Sequence, residues 1–287
     1  MKTMEFVGVT TGASSIVKMF PLWARDLGLE AQLVGRDVAL DAPPGAYRAI
    51  VEDIRADDDR LGALVTTHKL ALLDAARDLF DELDPHAERL GEVSSISKRD
   101  GRVVGHAFDP ITSGRAIAHF LGEDHFARTG GHALCLGAGG AGAAIVVNLL
   151  ERPDAPERVV VTDTRPERLE AVAALGAHET APPERAGELL AASPPGSLVV
   201  NATGMGKDRP GSPLPGDARF PEGVIAWELN YRGDLDFLHQ VRAAGARAED
   251  GWLYFLYGWT AVMAEVFGFE LTEDRFARLK ATADGSR

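Results

Sequence analysis

The sequence predicts an α/β protein of two domains, and three observations support this fold class. Apolar runs with the length of strands alternate with segments whose apolar residues recur at helical spacing. A glycine-rich turn, Gly137–Gly142, separates an apolar run from an apolar helix. The 287 residues, 45% of them apolar, are sufficient to bury two cores. We expect one α/β domain at 1–111, completed by C-terminal helices within 251–287, and a parallel-sheet domain at 112–250.

In the first domain, predicted strands and helices follow one another in strict alternation. Strands are expected at 4–9, 31–34, 61–65 and 102–105, and helices at 15–27, 47–55 and 70–83. The last helix should stop before Asp84, because Pro85 disfavours helical geometry in the residue that precedes it. The turn at 98–101 separates this region from the fourth strand.

In the second domain the same alternation predicts repeated β-α-β units. Helices are expected at 113–121, from the glycine turn to Leu150, at 165–175 and at 235–244, with strands at 132–136, 158–162, 197–201 and 223–227. Right-handed crossovers then give a parallel sheet of the Rossmann type. The Pro/Gly-rich stretch 209–216 is expected to be a surface loop, and 252–267 an aromatic-rich helix.

Composition narrows the classes of partner. A net charge of −13 gives no electrostatic support for binding nucleic acid. One cysteine, Cys135, fits a reducing compartment, and the absence of a signal peptide or a membrane-length apolar run predicts a cytoplasmic protein without membrane partners. The eight histidines show no metal-ligand spacing, so we expect no metal site. For the assembly, a homodimer is the common default.

The glycine turn predicts a dinucleotide site. Gly137, Gly139 and Gly142 form a G-x-G-x-x-G pattern between a strand and a helix, which is the context that the motif requires. The first glycine permits the tight turn, the second lets the backbone approach the pyrophosphate, and the third packs helix on strand. Together with Gly140 and Ala141, these residues are the predicted pyrophosphate site, and the alternative is a turn without a ligand.

The end of the following strand bears on the choice of cofactor. Asp163 follows Gly142 by 21 residues, where a carboxylate accepts hydrogen bonds from both ribose hydroxyls of NAD and disfavours a 2′-phosphate. Thr164 and Arg165 are also expected at this site, and an arginine there would suit NADP. We expect Arg165 to cap the following helix or to pair on it with Glu167 or Glu170, so NAD is favoured and NADP remains the alternative.

For proton transfer, Lys69 and Asp109 are the candidate pair. Both follow predicted strands, and loops at strand ends that meet at an interdomain cleft are the preferred place for ligands. Oxidation of an alcohol requires a base for the hydroxyl proton, and the reverse reaction requires an acid. From spacing alone, a surface lysine and a helix-capping aspartate are the default interpretation of these two residues.

The ordered motifs resemble those of the shikimate/quinate dehydrogenase family over nearly the whole chain. Residues 65–69, Val-Thr-Thr-His-Lys, resemble the family's V-T-x-P-x-K segment, and 107–109, Ala-Phe-Asp, resemble N-T-D. Residues 201–206, Asn-Ala-Thr-Gly-Met-Gly, resemble the N-A-T-x-x-G loop beside the nicotinamide, and 228–231, Glu-Leu-Asn-Tyr, resemble D-x-x-Y. A segment opening at Gly251 is similar to the family's C-terminal G-x-x-M-L helix.

The resemblance implies hydride transfer between a ring secondary alcohol and a nicotinamide. Lys69 would exchange the hydroxyl proton and Asp109 would orient the lysine. Asn201, Ala202, Thr203, Gly204 and Met205 would join the cofactor site. A nearby carboxylate raises the pKa of a lysine and desolvation lowers it, so the sequence leaves open whether Lys69 acts as acid or base.

The substrate side departs from the family pattern. The family's S-x-S, which holds the substrate carboxylate, becomes Ser14-Ser15-Ile16, and its two pocket asparagines map to Ser94 and Ala107. The remaining predicted substrate residues are Thr66, Tyr231 and Tyr257, and His68, His106, Thr10 and Thr11 could refill the pocket. We therefore predict a cyclic polyol related to shikimate or quinate. The alternatives are an authentic shikimate/quinate dehydrogenase and a non-catalytic NAD-binding paralogue.

Overall fold

The computed structural model describes residues 1–207 and 209–286, which divide into two compact units. The first unit consists of Met1–Phe108 and the chain from Leu256 onward, and the second is Asp109–Phe255. Each unit contains a six-stranded sheet with helices packed on it. The predicted α/β fold class is confirmed.

The first sheet is mixed, with the strand order β2-β1-β3-β5-β6-β4. Its strands are β1 (Lys2–Gly8), β2 (Ala31–Asp37), β3 (Arg60–Val65), β4 (Glu82–Leu83), β5 (Ser95–Arg99) and β6 (Arg102–His106). β1 lies between β2 and β3 and is parallel to both, whereas β5 is antiparallel to β3 and β6. All three strands of the parallel part therefore end at one edge, where the first-unit site residues begin.

Among the described residues, six α-helices accompany this sheet. They are α1 (Ile16–Leu27), α2 (Pro44–Ala56), α3 (Lys69–Ala76), α4 (Pro85–Leu90), the end of α11 (Trp252–Phe267) and α12 (Glu273–Asp284). The core includes Ile50 and Ile54 from α2 and Leu72 and Leu73 from α3, each at most 2% exposed. The Nε1 of Trp23 on α1 donates to the carbonyl of Leu279 at 2.8 Å, and this buried hydrogen bond joins α1 to α12.

One predicted helix is shorter in the structure than its periodicity indicates. The pattern predicts a helix over 70–83, but α3 ends at Ala76, a 3-10 turn follows at Arg77–Leu79, and Glu82–Leu83 forms strand β4. The reason is pairing with β6: the backbone N–H of Asp81 donates to the carbonyl of Val103 at 2.9 Å, and its carboxylate accepts the N–H of Val103 at 2.7 Å. These long-range bonds override local helical preference.

The second sheet is entirely parallel, with the order β12-β11-β10-β7-β8-β9. Its strands are β7 (Ala133–Leu136), β8 (Val159–Thr162), β9 (Glu179–Ala181), β10 (Leu198–Asn201), β11 (Ile225–Glu228) and β12 (Arg247–Glu249). Read from β9 this is the doubly wound order 3-2-1-4-5-6, and the strand order reverses between β7 and β10. The predicted Rossmann-type sheet is confirmed.

The helices of the second unit are α5 (Asp109–Ile117), α6 (His125–Thr129), α7 (Gly140–Glu151), α8 (Pro166–Ala174), α9 (Ala186–Ala191), α10 (Asp236–Ala243) and the start of α11. Four-residue strands β7, β8, β10 and β11 are buried on both faces, as continuous apolar runs predict for a parallel sheet. Among the helices of residues 1–207 and 209–286, none combines the length and the apolarity needed to span a bilayer.

Candidate active site

The glycine turn joins the end of β7 to the start of α7. Gly137 has φ 105°, a left-handed conformation that disfavours residues with a Cβ, and its N–H donates to the carbonyl of Thr162 at 2.7 Å. A Cβ at Gly142 would lie 2.0 Å from the carbonyl oxygen of Gly137, so only glycine permits this close packing of helix on turn. The amide groups in the first turn of the 12-residue helix α7 are then suited to bind phosphate.

Asp163, one residue after β8, is bonded to this turn. Its Oδ2 accepts the backbone N–H of Ala138 at 2.7 Å, and its Oδ1 accepts the N–H of Arg165 at 2.9 Å. The carboxylate thus links the glycine turn to the start of α8. Both elements lie at the carboxyl edge of the sheet beside the switch point, which is where dinucleotides bind in this fold.

Two arginines follow Asp163, and they behave differently. Arg165 is exposed and occupies the N-cap position of α8, as one of the two expected alternatives has it, although its side chain forms no cap hydrogen bond. Within the described part of the chain it forms no ion pair with Glu167 or Glu170. The Nη1 of Arg168 instead lies 3.9 Å from the Oδ2 of Asp163, and the same nitrogen would lie 3.8 Å from a Cβ at Gly139. Arg168 was not predicted as a site residue, although its position in the first turn of α8, shortly after Asp163, is a signal in the sequence.

The loop after β10 packs against the glycine turn from the other side of the switch point. The N–H of Ala202 donates to the carbonyl of Leu136 at 2.7 Å, and a Cβ at Gly137 would lie 2.8 Å from the carbonyl of Ala202. Asn201, fully buried, accepts the Thr203 N–H at 3.1 Å and the Thr203 hydroxyl at 2.6 Å. Gly204, with φ 77°, then turns the chain toward Met205. The structure therefore brings this loop and the glycine turn together.

Lys69 is the first residue of α3, directly after the buried His68. The Nε2 of His68 donates to the carbonyl of Val38 at 2.9 Å, and its Nδ1 faces the Tyr47 hydroxyl at 3.0 Å. Because a carbonyl only accepts, Nε2 carries the hydrogen and Nδ1 accepts from Tyr47. Burial lowers the pKa of His68, so the ring is neutral. His68 is therefore a packing residue of the first unit, and its ring nitrogens are already bonded and do not serve the substrate pocket as expected.

Asp109 is the first residue of α5 and opens the second unit; its side chain is buried. The segment before it is fixed by Ser94, whose hydroxyl oxygen accepts the N–H of Phe108 at 2.9 Å. The preceding residue is fixed by Asp84, whose Oδ2 accepts the N–H of Ala107 at 3.2 Å and lies 3.5 Å from the Nδ1 of His106. Hydrogen bonds from His106 and two backbone amides outweigh burial and lower the pKa of Asp84.

His106 belongs to a polar cluster of the first unit. Its Nε2 lies 3.0 Å from the hydroxyl of Ser97 and 3.6 Å from the Oε1 of Glu265, and its ring stacks on Phe108 with centroids 5.1 Å apart. Ser97 also donates to Glu265 at 3.1 Å. Sequence spacing offered no signal for this cluster, because its members come from β5, β6 and α11 and from the segment that follows β6.

The other predicted substrate residues lie in different settings. The Thr66 hydroxyl donates to the carbonyl of Val7 at 3.1 Å, and Ser14 is half-buried at the end of a 3-10 turn before α1. Tyr257 is 4% exposed and stacks on Phe276 with ring centroids 3.8 Å apart. Tyr231, in the second unit, packs against Trp252 and Phe255.

The turn just before Ser14-Ser15-Ile16, the segment that corresponds to the family's carboxylate-binding hydroxyls, is bonded to a carboxylate of the chain itself, Asp37 at the end of β2. The N–H and hydroxyl of Thr11 donate to the Oδ1 of Asp37 at 2.7 and 2.6 Å, and these bonds hold the pKa of Asp37 below its ordinary value. Ile16, which replaces the second serine, is fully buried and belongs to the core. Neither Thr11 nor Ile16 is therefore arranged to bind an anionic group.

Comparison with known proteins places the chain in a family. A comparison with protein-family models found no match. The shikimate dehydrogenase (NADP(+)) of Methylobacterium radiotolerans is 38% identical over 223 residues, which are 74% of this chain and 73% of that protein. The crystal structure of shikimate 5-dehydrogenase from Thermus thermophilus, in complex with NADP(H) and shikimate, is 28% identical, with a TM-score of 0.77 and 100% coverage of both chains.

The quinate dehydrogenase of Corynebacterium glutamicum, solved in complex with NAD, has a TM-score of 0.77 over 99% of both chains at 20% identity, a likeness of fold alone. The doubly wound sheet and its glycine turn define a dinucleotide-binding class of α/β protein. Within that class, the chain belongs to the shikimate/quinate dehydrogenase family, and the resemblance predicted from its motifs is confirmed.

Proposed function

We propose that the chain is an NAD-dependent oxidoreductase that transfers hydride between the nicotinamide and a ring secondary alcohol or ketone of a cyclic polyol. The observation that carries this proposal is the glycine turn bonded to Asp163 at the switch point of a doubly wound sheet, in a chain of this family. The bound cofactor would supply or accept the hydride. The residues of the chain would bind it and move the proton.

In this proposal Lys69 holds the proton that joins or leaves the substrate oxygen, and Asp109 orients Lys69 and hydrogen-bonds a neighbouring hydroxyl. Lys69 is supported by its place at the start of α3, whose backbone is fixed by neighbours on both sides: His68 is bonded at two ring nitrogens, and the carbonyl of Lys69 accepts the N–H of Val93 at 3.3 Å. A proton-transfer group needs such fixed placement relative to the reacting atom.

We propose that the substrate is a polyol related to shikimate or quinate but not identical with either. Thr11 is committed to Asp37, and Ile16 to the core. The family binds the substrate carboxylate through two hydroxyls, and here Ile16 replaces one of them. Each lost charge-assisted hydrogen bond costs about 1.5–3 kcal/mol. Thr66, Ser94, Ser14, Tyr231 and Tyr257 remain the proposed substrate contacts.

An authentic shikimate dehydrogenase is the second candidate function. The relative from Methylobacterium radiotolerans carries that name together with NADP(+), and the Thermus thermophilus enzyme was solved with shikimate and NADP(H). Arg165 and Arg168 next to Asp163 are the residues that would serve a 2′-phosphate in this alternative.

One experiment separates the candidates. Formation of NADH and NADPH is followed with shikimate, quinate, aminoshikimate and carbasugar polyols, each with both oxidised cofactors. Turnover of a neutral or modified polyol with NAD well above that of shikimate supports the proposal, and efficient turnover of shikimate with NADP contradicts it in favour of the second candidate. Cofactor binding by calorimetry without turnover of any polyol would indicate a non-catalytic paralogue.

We predict that Asp163→Ser shifts the cofactor preference toward NADP by about tenfold or more in the ratio of dissociation constants, because a carboxylate beside a 2′-phosphate is removed. Isothermal calorimetry with NAD and NADP measures the ratio. Asp163→Asn, which keeps an acceptor for the N–H of Ala138, should shift it in the same direction. Glu167→Gln on the exposed start of α8 is the charge-matched control. An unchanged ratio in both Asp163 variants would remove the argument for NAD.

A further inference from the structure

Three buried side chains at the carboxyl edge of the second sheet form a hydrogen-bonded cluster, here called the carboxylate–amide cluster: Asn201, Glu228 and Asn230. Asn201 and Glu228 end the paired strands β10 and β11 and are both fully buried. The Oε2 of Glu228 accepts from the Nδ2 of Asn201 at 2.6 Å. Its Oε1 accepts from the backbone N–H and the Nδ2 of Asn230 at 2.8 and 2.6 Å. One carboxylate thus fixes two amides.

The two amides in turn fix the loop after β10. The Nδ2 of Asn230 donates to the carbonyl of Met205 at 3.1 Å, and the Nδ2 of Asn201 lies 3.4 Å from the same oxygen. The Oδ1 of Asn201 accepts both the N–H and the hydroxyl of Thr203, whose Oγ1 accepts the N–H of Met205 at 3.1 Å. The conformation of residues 202–205 therefore depends on bonds that lead back to Glu228.

This loop lies across the switch point from Asp163. It packs on Gly137 and is the first loop on the β10 side of the crevice, whereas Asp163 follows β8 on the other side. A dinucleotide that spans this crevice with its adenosine ribose at Asp163 places its second nucleotide toward β10. We propose that Glu228 is a positioning residue: its ionised carboxylate, through Asn201 and Asn230, holds residues 202–205 in the conformation that receives the nicotinamide half of the cofactor. This inference rests on the proposed function.

The chemistry of the cluster makes it sensitive to protonation. Ionised Glu228 accepts all three N–H bonds, whereas a protonated carboxyl places a hydrogen on one of the two oxygens and loses acceptor capacity there. Burial raises the pKa of Glu228 to about 7, against the lowering effect of the bonds from Asn230 and Asn201. The hydrogen bonds of the carboxylate–amide cluster therefore change near pH 7, within the pH range in which most enzymes are assayed.

The charged residues near Glu228 either bind other groups or do not contribute to its raised pKa. Glu249 on β12 pairs with Arg247 at 2.8 Å, Asp236 on α10 accepts the N–H of Gly211 at 2.9 Å, and Arg209 lies 3.4 Å from the carbonyl of Thr203. The remaining charged residues on the adjoining described loops are Lys207, Arg232, Asp234 and Asp250. The raised pKa of Glu228 arises from its burial and not from these charges.

Affinity and stability should respond to pH with opposite signs. Ionisation of Glu228 completes the bonds to the loop, so affinity for the nicotinamide half should rise as pH rises through about 7. For stability, the folded-state pKa lies above the ordinary value of 4.5, so the folded protein binds the proton more tightly than the unfolded chain. That contribution to stability is complete below the unfolded pKa and is lost as pH rises through about 7. If Glu228 had only a structural role, its ionisation would weaken cofactor binding and lower stability together.

The experiment is a fluorescence titration of the wild-type protein with NADH between about pH 6 and 8.5. ADP-ribose, which lacks the nicotinamide, is the comparison ligand, and its binding is measured by calorimetry over the same pH range. The NADH dissociation constant should fall about tenfold with a midpoint near the pKa of Glu228, which corresponds to one hydrogen bond to a charged group, while that of ADP-ribose stays nearly constant. This comparison needs no variant. Parallel changes for the two ligands, or a flat NADH profile, would overturn the proposal.

Variants then test whether the pH dependence of NADH binding arises from Glu228. Glu228→Gln should abolish the pH dependence of NADH binding, and Glu228→Asp, which keeps a carboxylate, should retain it. Glu222→Gln removes the same charge from the exposed loop at the opposite end of β11 and should behave as wild type. A folded Glu228→Gln protein with the wild-type profile contradicts the assignment. If neither NADH nor ADP-ribose binds at any pH, the proposed function fails as well, so the two failures are distinguishable.

Discussion

Lys69→Ala is expected to lower kcat by about two to four orders of magnitude with the affinity for the cofactor unchanged, because general acid–base catalysis at the substrate oxygen is lost. The fold should survive, since Lys69 is a half-buried residue at the first position of α3 and the helix is held at His68. Steady-state kinetics with the best polyol and calorimetry with the cofactor measure the two quantities.

Lys18→Ala is the matched control, because this lysine lies exposed on α1 of the same unit. Wild-type turnover in Lys69→Ala would exclude the role proposed for it. A parallel loss of cofactor binding would show instead that the substitution disturbs the fold.

Asp109→Asn tests the second member of the pair: we expect a smaller fall in kcat and a shifted pH–rate profile, because the amide cannot stabilise the charged form of the lysine.

Gly139→Ala is expected to weaken cofactor binding by about tenfold to a hundredfold and to leave folding intact. The backbone of Gly139, with φ −72° and ψ −177°, is accessible to alanine, and the nearest atom to a new Cβ is the Nη1 of Arg168 at 3.8 Å. The methyl group would instead occupy the space through which the backbone approaches the pyrophosphate, and overpacking of this kind costs about 1–3 kcal/mol.

Two further glycine variants calibrate that result. Gly142→Ala forces a Cβ to within 2.0 Å of the carbonyl oxygen of Gly137, so it should lower the melting temperature as well as the affinity. Gly45→Ala, in α2, meets no atom within 4 Å, so it should leave the affinity unchanged and should not lower the melting temperature. Wild-type affinity in Gly139→Ala, measured by titration with NAD and NADP, would contradict the placement of the pyrophosphate at this turn.

The parts of the structure that the sequence predicted are those whose cause is local. The four central strands of the Rossmann sheet, β7, β8, β10 and β11, are runs of mostly apolar residues buried on both faces, and each was expected within one or two residues of its place. The short edge strands β9 and β12 are only partly buried and were not expected. The glycine turn was predictable because Gly137 and Gly142 are required by backbone geometry within six residues. Helix α11 was expected at its observed bounds from continuous apolar character.

The parts that the sequence did not predict depend on distant partners. Strand β5 contains Ser97 and Lys98, whose burial is compatible with a sheet because β6, α11 and Asp57 supply polar contacts. Helix α3 was overestimated because pairing of Asp81 with Val103 ends it early. The role inferred for Glu228 rests on two asparagines, one of them on the neighbouring strand, and no local pattern indicates that a glutamate after an apolar run will be buried.

The hydrogen bonds of His68 have a consequence for the energetics of turnover. With its ring fixed between Val38 and Tyr47, and with the carbonyl of Lys69 bonded to Val93, the backbone from which Lys69 projects is ordered before any ligand arrives. In the role proposed for Lys69, little backbone entropy would then be lost at this point on substrate binding, and the remaining freedom lies in the side-chain torsions of the lysine. Loosening the anchor by Tyr47→Phe should therefore appear as slower turnover with little change in KM.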